Sequence, residues 1–166
     1  PSAVNRSATR VRSSARVRGD ITIVKTDVRT GRQTKVHVRN TITYDGFNSA
    51  LFAWAQDGVT ANDFRIVQLV VGTNGTPATA GDLGCLAPVI GAEIPLTAAE
   101  RQVAPTTGEL IITATLPKVS PANGSTLTEV ALMLGNGDCF ARQVHAAFAK
   151  SAAFTLTYIW TISIGA

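Results

Sequence analysis

From Phe154 to Ile164 every second residue is large and apolar: Phe154, Leu156, Tyr158, Trp160, Ile162 and Ile164. Thr155, Thr157, Ile159, Thr161 and Ser163 stand between them. A period of two predicts a strand with one buried, bulky face. The same alternation marks Ile21 and Ile23, and again Thr34, Val36 and Val38 against Lys35, His37 and Arg39. Asp27-Val28-Arg29-Thr30-Gly31-Arg32 supplies turn chemistry between them, so this part reads as a hairpin with one basic face. A different rhythm follows. Phe47, Ala50, Leu51, Trp54 and Ala55 recur at i, i+3, i+4 and i+7, with Asp45 before them and Gly58 after. This predicts one helix near 46–57, started at Asp45 and capped at Gly58.

The remaining pattern is strand again. Phe64–Val71 is an unbroken apolar run, and residues 72–98, rich in Gly, Pro, Thr and Ala, form the longest loop-like stretch. Arg101–Ala104 and Leu110–Lys118 flank Pro105-Thr106-Thr107-Gly108, and Leu127–Leu134 and Cys139–Val144 flank Gly135-Asn136-Gly137-Asp138. Each reads as a hairpin. Seven or eight strands with one short helix predict an all-β fold, a two-sheet antiparallel sandwich of jelly-roll-like kind. Residues 1–19 have no usable apolar face and read as an extended basic arm, leaving 20–166 as the sandwich domain.

Charge sharpens this division. Residues 1–40 hold ten Lys or Arg against two Asp, a net +8, while residues 41–166 carry a net −4. Opposite signs on one molecule favour head-to-tail contacts between copies or with an acidic neighbour. Only 16% of the residues are charged, which points to a surface partly covered by neighbours. Arg6, Arg10, Arg12, Arg16 and Arg18 are the expected docking residues of the arm. They would also neutralise phosphates, but no helix-turn-helix, zinc finger or aromatic-laced basic sheet accompanies them, so an acidic protein surface is the expected partner rather than nucleic acid. No apolar run reaches membrane-spanning length and no secretory leader opens the chain, so synthesis in a bacterial-type cytosol is expected.

Candidate chemistry is sparse. His37 and His145 are far apart in the chain, and Cys85 and Cys139 form no C-x-x-C pair, so no metal or cofactor is expected. The cysteines read as buried free thiols, with one bridge between them the alternative, and the two histidines as a surface residue and a structural one. No nucleophile signature surrounds any Ser, Thr or Cys, and the 70–77 loop lacks G-K-[ST]. No catalytic residue is assigned. One polar pair is singled out. A turn at Gly135–Asp138 sets Ala131 opposite Arg142 and Glu129 opposite Val144, placing Glu129 and Arg142 diagonally on one face. The expected role is a structural strut rather than a general acid and its partner.

The order of motifs resembles tailed-bacteriophage virion structural proteins, the tail-fibre, collar, neck and head-decoration β-domains. The carriers are Thr30-Gly31 in a hairpin, Asn40 through Gly46 leading into a short helix, and Val71-Gly72-Thr73-Asn74-Gly75-Thr76-Pro77. Leu96 through Arg101 matches the next element loosely. The ending is closest: Thr126 through Met133, then Cys139-Phe140-Ala141-Arg142, Phe148-Ala149-Lys150, and the strand Leu156–Ile164. Ala131 stands where such proteins usually carry glycine. The resemblance covers about residues 20–164. It implies a non-enzymatic virion subunit, commonly a homotrimer, tethered by its arm: a tail, neck or baseplate adaptor or a fibre-type protein. A capsid decoration protein is the alternative, and a carbohydrate-binding receptor module a further one, weakened because Trp54 and Trp160 fall on faces expected to be buried.

Overall fold

The computed structural model describes residues 16–55 and 64–165, with side chains over 17–49 and 64–163. Strands β1 (Arg16–Asp27) and β2 (Gln33–Arg39) form the expected hairpin, with Ile21 opposite Val38 and Ile23 opposite Val36. Its turn is built by Asp27, whose carboxylate accepts the amide hydrogens of Arg29 at 3.0 Å and Thr30 at 2.7 Å, while Gly31 supplies the positive φ. After β3 (Thr41–Ile42) comes helix α1 (Tyr44–Ala55), then β4 (Ile66–Gly72), β5 (Ile94–Pro95), β6 (Arg101–Ala104), β7 (Glu109–Leu116), β8 (Thr126–Leu134), β9 (Cys139–Ala149) and β10 (Phe154–Gly165).

These make two five-stranded antiparallel sheets, ordered β2-β1-β10-β7-β6 and β3-β9-β8-β4-β5. They pack face to face as a sandwich. β1 and β10 pair along their whole length at the middle of the first sheet, from Arg16 opposite Gly165 to Asp27 opposite Phe154. β7 and β10 are neighbours there, although the β8–β9 hairpin that separates them in sequence lies in the second sheet. Such crossovers between sheets are the habit of jelly rolls.

The core is what the alternation of β10 promised. Phe154, Leu156, Tyr158, Trp160 and Ile162 are all buried, against Leu127, Val130 and Leu132 of β8 and Ile21 and Ile23 of β1. The unbroken apolar run of β4 has its own cause. Leu69 and Val71 face the core, while Val70 is covered from outside by the loop that follows, so both faces of this strand are dry.

Two boundaries differ from the sequence reading. The arm expected over 1–19 ends no later than residue 15, because Arg16–Gly19 pair with Ile162–Gly165. The helix begins at Tyr44 rather than after Asp45, and its cap is Thr43. Thr43 Oγ1 accepts the Gly46 amide hydrogen at 3.0 Å and donates to the carbonyl oxygens of Cys139 and Phe140, so one hydroxyl both starts the helix and fastens it to β9. Asp45 lies in the first turn, where a carboxylate suits the helix dipole. The expected inward face also shifts. Gly46 and Ser49 are buried, and Phe47 is 42% exposed. The cap position expected at Gly58 and the side chain of Trp54 lie outside the described residues.

Candidate interaction face

Glu129 lies opposite Val144 and Ala131 opposite Arg142, the pairings expected, although at the turn itself Met133 faces Cys139 and the register shifts between Leu132 and Met133. Both charged side chains point outward from the second sheet yet are fully buried, because the loop between β4 and β5 lies across them. Arg142 Nε donates to Glu129 Oε2 at 2.8 Å, and Nη2 lies 2.8 Å from the same oxygen in an ion pair. Arg142 Nη1 donates to Asp82 Oδ2 at 2.9 Å, and Nη2 also reaches the Thr76 carbonyl oxygen at 3.1 Å. Glu129 accepts three loop amide hydrogens besides: Asn74 at 3.2 Å, Leu86 at 3.0 Å and Ala87 at 2.8 Å.

The predicted pair is therefore a clasp, and the sequence reading missed what it holds. A buried guanidinium and carboxylate are tolerated because almost every donor and acceptor is used, and the hydrogen bonds go to the loop rather than to water. Burial pushes the Asp82 carboxyl up, but the Thr79 amide and Arg142 outweigh it and hold it below the usual carboxylate range. Gly72 completes the arrangement. A methyl group there would run into Glu129 Oε1 and the Ala87 carbonyl oxygen. Asp82 carries no local signal in the sequence, since it stands sixty residues from Arg142 and only the fold brings them together.

A loop stapled in this way can display side chains that would otherwise collapse. Leu83 is 76% exposed, Leu86 51% and Ile90 79%. Leu83 and Ile90 stand at a shallow cavity of about 340 Å³ lined also by Val70, Cys85, Pro88, Glu93 and Met133, and Leu86 is exposed on the same loop. Three large apolar side chains within eight loop residues make a patch of the kind that marks contact surfaces. A second apolar hollow, about 330 Å³, opens at one end of the sandwich between Val17, Ile42, Phe47, Val103, Leu110, Phe140 and Ile162.

Of the arm residues, Arg6, Arg10 and Arg12 lie outside the described residues, Arg16 opens β1, and Arg18 is exposed on the outer side of the first sheet. Lys35 and Arg39 are exposed on the edge strand β2, as the basic face required. His37 on the same strand is exposed and shares a 2.9 Å hydrogen bond with Thr22. His145 is buried beside Tyr158 and Phe148, and burial pulls its pKa down. Cys85 and Cys139 are free thiols, and burial raises both pKa values, that of Cys139 to about 12.

Lys150 is a second buried charge. Its ammonium group donates to Asn123 Oδ1 at 2.9 Å and to the carbonyl oxygens of Ser151 at 2.9 Å and Phe154 at 3.1 Å, tying the loop before β8 to the β9–β10 turn. Among the described residues no three His, Cys, Asp or Glu side chains gather as a metal site, and no helix is long and apolar enough to cross a membrane. The chain matches no protein-family model, no curated protein and no solved structure.

Proposed function

We propose that this chain is a non-enzymatic structural subunit of a tailed-phage virion, a tail, neck or baseplate adaptor or a fibre-type protein, made in the host bacterial cytoplasm. It assembles with copies of itself, with a trimer favoured, and with other virion proteins, and its basic N-terminal segment is the tether. The observation that carries this reading is the exposed patch of Leu83, Leu86 and Ile90, held out from the sheet by a buried ionic clasp. Ordering such a loop costs conformational entropy, and an apolar display fixed in advance lowers the cost of association. The order of motifs described above supplies the virion context. Glu129 supports the strut role over the general-acid role, because its carboxylate is wholly buried and accepts from three loop amides and the Arg142 guanidinium.

Particles purified from a phage whose genome carries this gene provide the test. Isotope-dilution mass spectrometry of the digested particles should find the chain at tens of copies or fewer, in the tail fraction after heads and tails are separated. Hundreds of copies in the head fraction would instead make it a decoration protein. Absence from the particle would remove the virion reading.

A further inference from the structure

We infer that the stapled loop face receives residues 1–15 of a second copy of this chain, so that each subunit is held by its neighbour's N-terminal segment. The inference rests on the reading of the chain as a self-assembling subunit and names the two surfaces that meet.

The face is ready-made. Leu83 and Ile90 line a cavity together with Val70 and Met133, Leu86 is exposed on the same loop, and the Glu129–Arg142–Asp82 clasp fixes that loop. An incoming segment therefore need not order its receptor. Charge selects the segment. From residue 66 to residue 100 there is no Lys or Arg, and the acids are Asp82, Glu93 and Glu100. Asp82 is taken by Arg142, while Glu93 lines the cavity and is part-exposed. Residues 1–15 are the complement: Arg6, Arg10 and Arg12 with no acid, interspersed with Val4, Ala8, Val11 and Ala15. Laid extended on the face, Val11 and Ala15 share one side and suit the apolar cavity. The arginines fall on the other side, and their long stems let a guanidinium group reach Glu93.

The geometry points to a neighbour's segment rather than the chain's own. Residues 1–15 leave the first sheet at Arg16, whereas the loop covers the outside of the second sheet. The nearer edge of the sandwich is β2, whose end closest to Arg16 exposes Arg39, a like charge in the path of a segment turning back in its own subunit. Fully extended, fifteen residues span about 50 Å, enough to cross onto an adjacent body of this size.

The test uses the full chain with a photo-crosslinking residue introduced as Val11→benzoylphenylalanine. Equal amounts of ¹⁵N-labelled and unlabelled protein are mixed at high salt, to dissociate them, and returned to low salt. Cross-linked peptides should join residue 11 to the segment 83–93, about half of them pairing a heavy with a light chain. Ile90→Glu, at an exposed position, should abolish these cross-links and shift the protein to monomer in sedimentation. Val119→Glu, equally exposed but on another loop, should do neither. Cross-links confined to single chains, cross-links to another surface, or full assembly of Ile90→Glu would each overturn the inference. The virion reading stands or falls separately, on particle composition.

Discussion

Glu129 shows how much one side chain can organise when its hydrogen bonds are fully spent. It holds three loop amides and one guanidinium, so removing it leaves Arg142 buried with only Asp82 and one carbonyl oxygen. Glu129→Ala should cost about 3–5 kcal/mol. The urea midpoint should fall accordingly, and limited proteolysis should open new cleavage sites between 73 and 93. A wild-type midpoint with an intact loop would deny the clasp its role. His145 sets a pH dependence. Burial depresses its pKa below the ordinary 6.5, so the unfolded chain takes up this proton first as the solution is acidified. Its contribution is therefore complete above pH 6.5 and is lost as the pH falls from there towards the lower folded value. Urea midpoints measured from pH 8 to pH 5 should show this decline in the wild type, and His145→Leu should flatten it.

At the level of elements, α1 is fastened by its start. Thr43 caps the helix and grips β9, and Gly46 lies so close that a Cβ would strike the Phe140 carbonyl oxygen. Thr43→Val keeps the shape and removes the hydroxyl, and should cost about 1–2 kcal/mol. Hydrogen exchange should speed up in the first turn of α1 while the amides of β10 stay protected; unchanged exchange at Gly46 would count against the cap. The helix was legible from its apolar spacing, but its first residue was not. Asp45 and Thr43 are both acceptable caps by composition, and the choice fell to the residue that β9 could also bond. The expected pairings of Glu129 with Val144 and Ala131 with Arg142 are found, but not by simple propagation from the turn: beside it Met133 faces Cys139, and a shift between Leu132 and Met133 brings the ladder into the expected register. Further out the register shifts again between Leu127 and Glu129, and no turn rule could foresee either shift.

For the whole molecule, the paired β1–β10 seam decides where the body ends. With the copies dissociated at high salt, deleting residues 1–15 should leave the melting temperature within a degree or two of the full chain, since β1 starts at Arg16. Deleting residues 1–19 removes the pairings of Arg16–Gly19 with Ile162–Gly165 and uncovers Ile162, so this form should melt several degrees lower. Equal melting of the two truncated forms would return the boundary to residue 19. The wider split of charge, basic through residue 40 and acidic beyond, survives folding as a basic edge at β2 and a loop face free of Lys and Arg.

The sequence by itself determined the β class, the hairpins and their turns, the inward face of β10 and the diagonal pairing of Glu129 with Arg142. Each of these follows from spacing within a dozen or so residues, where backbone periodicity and turn chemistry act. Only the tertiary structure decided that β1 meets β10, that Asp82 joins the ionic pair, and that a loop covers the second sheet and turns Leu83, Leu86 and Ile90 outward. Those outcomes depend on contacts between residues far apart in the chain, and their free energy exists only once both sheets are closed.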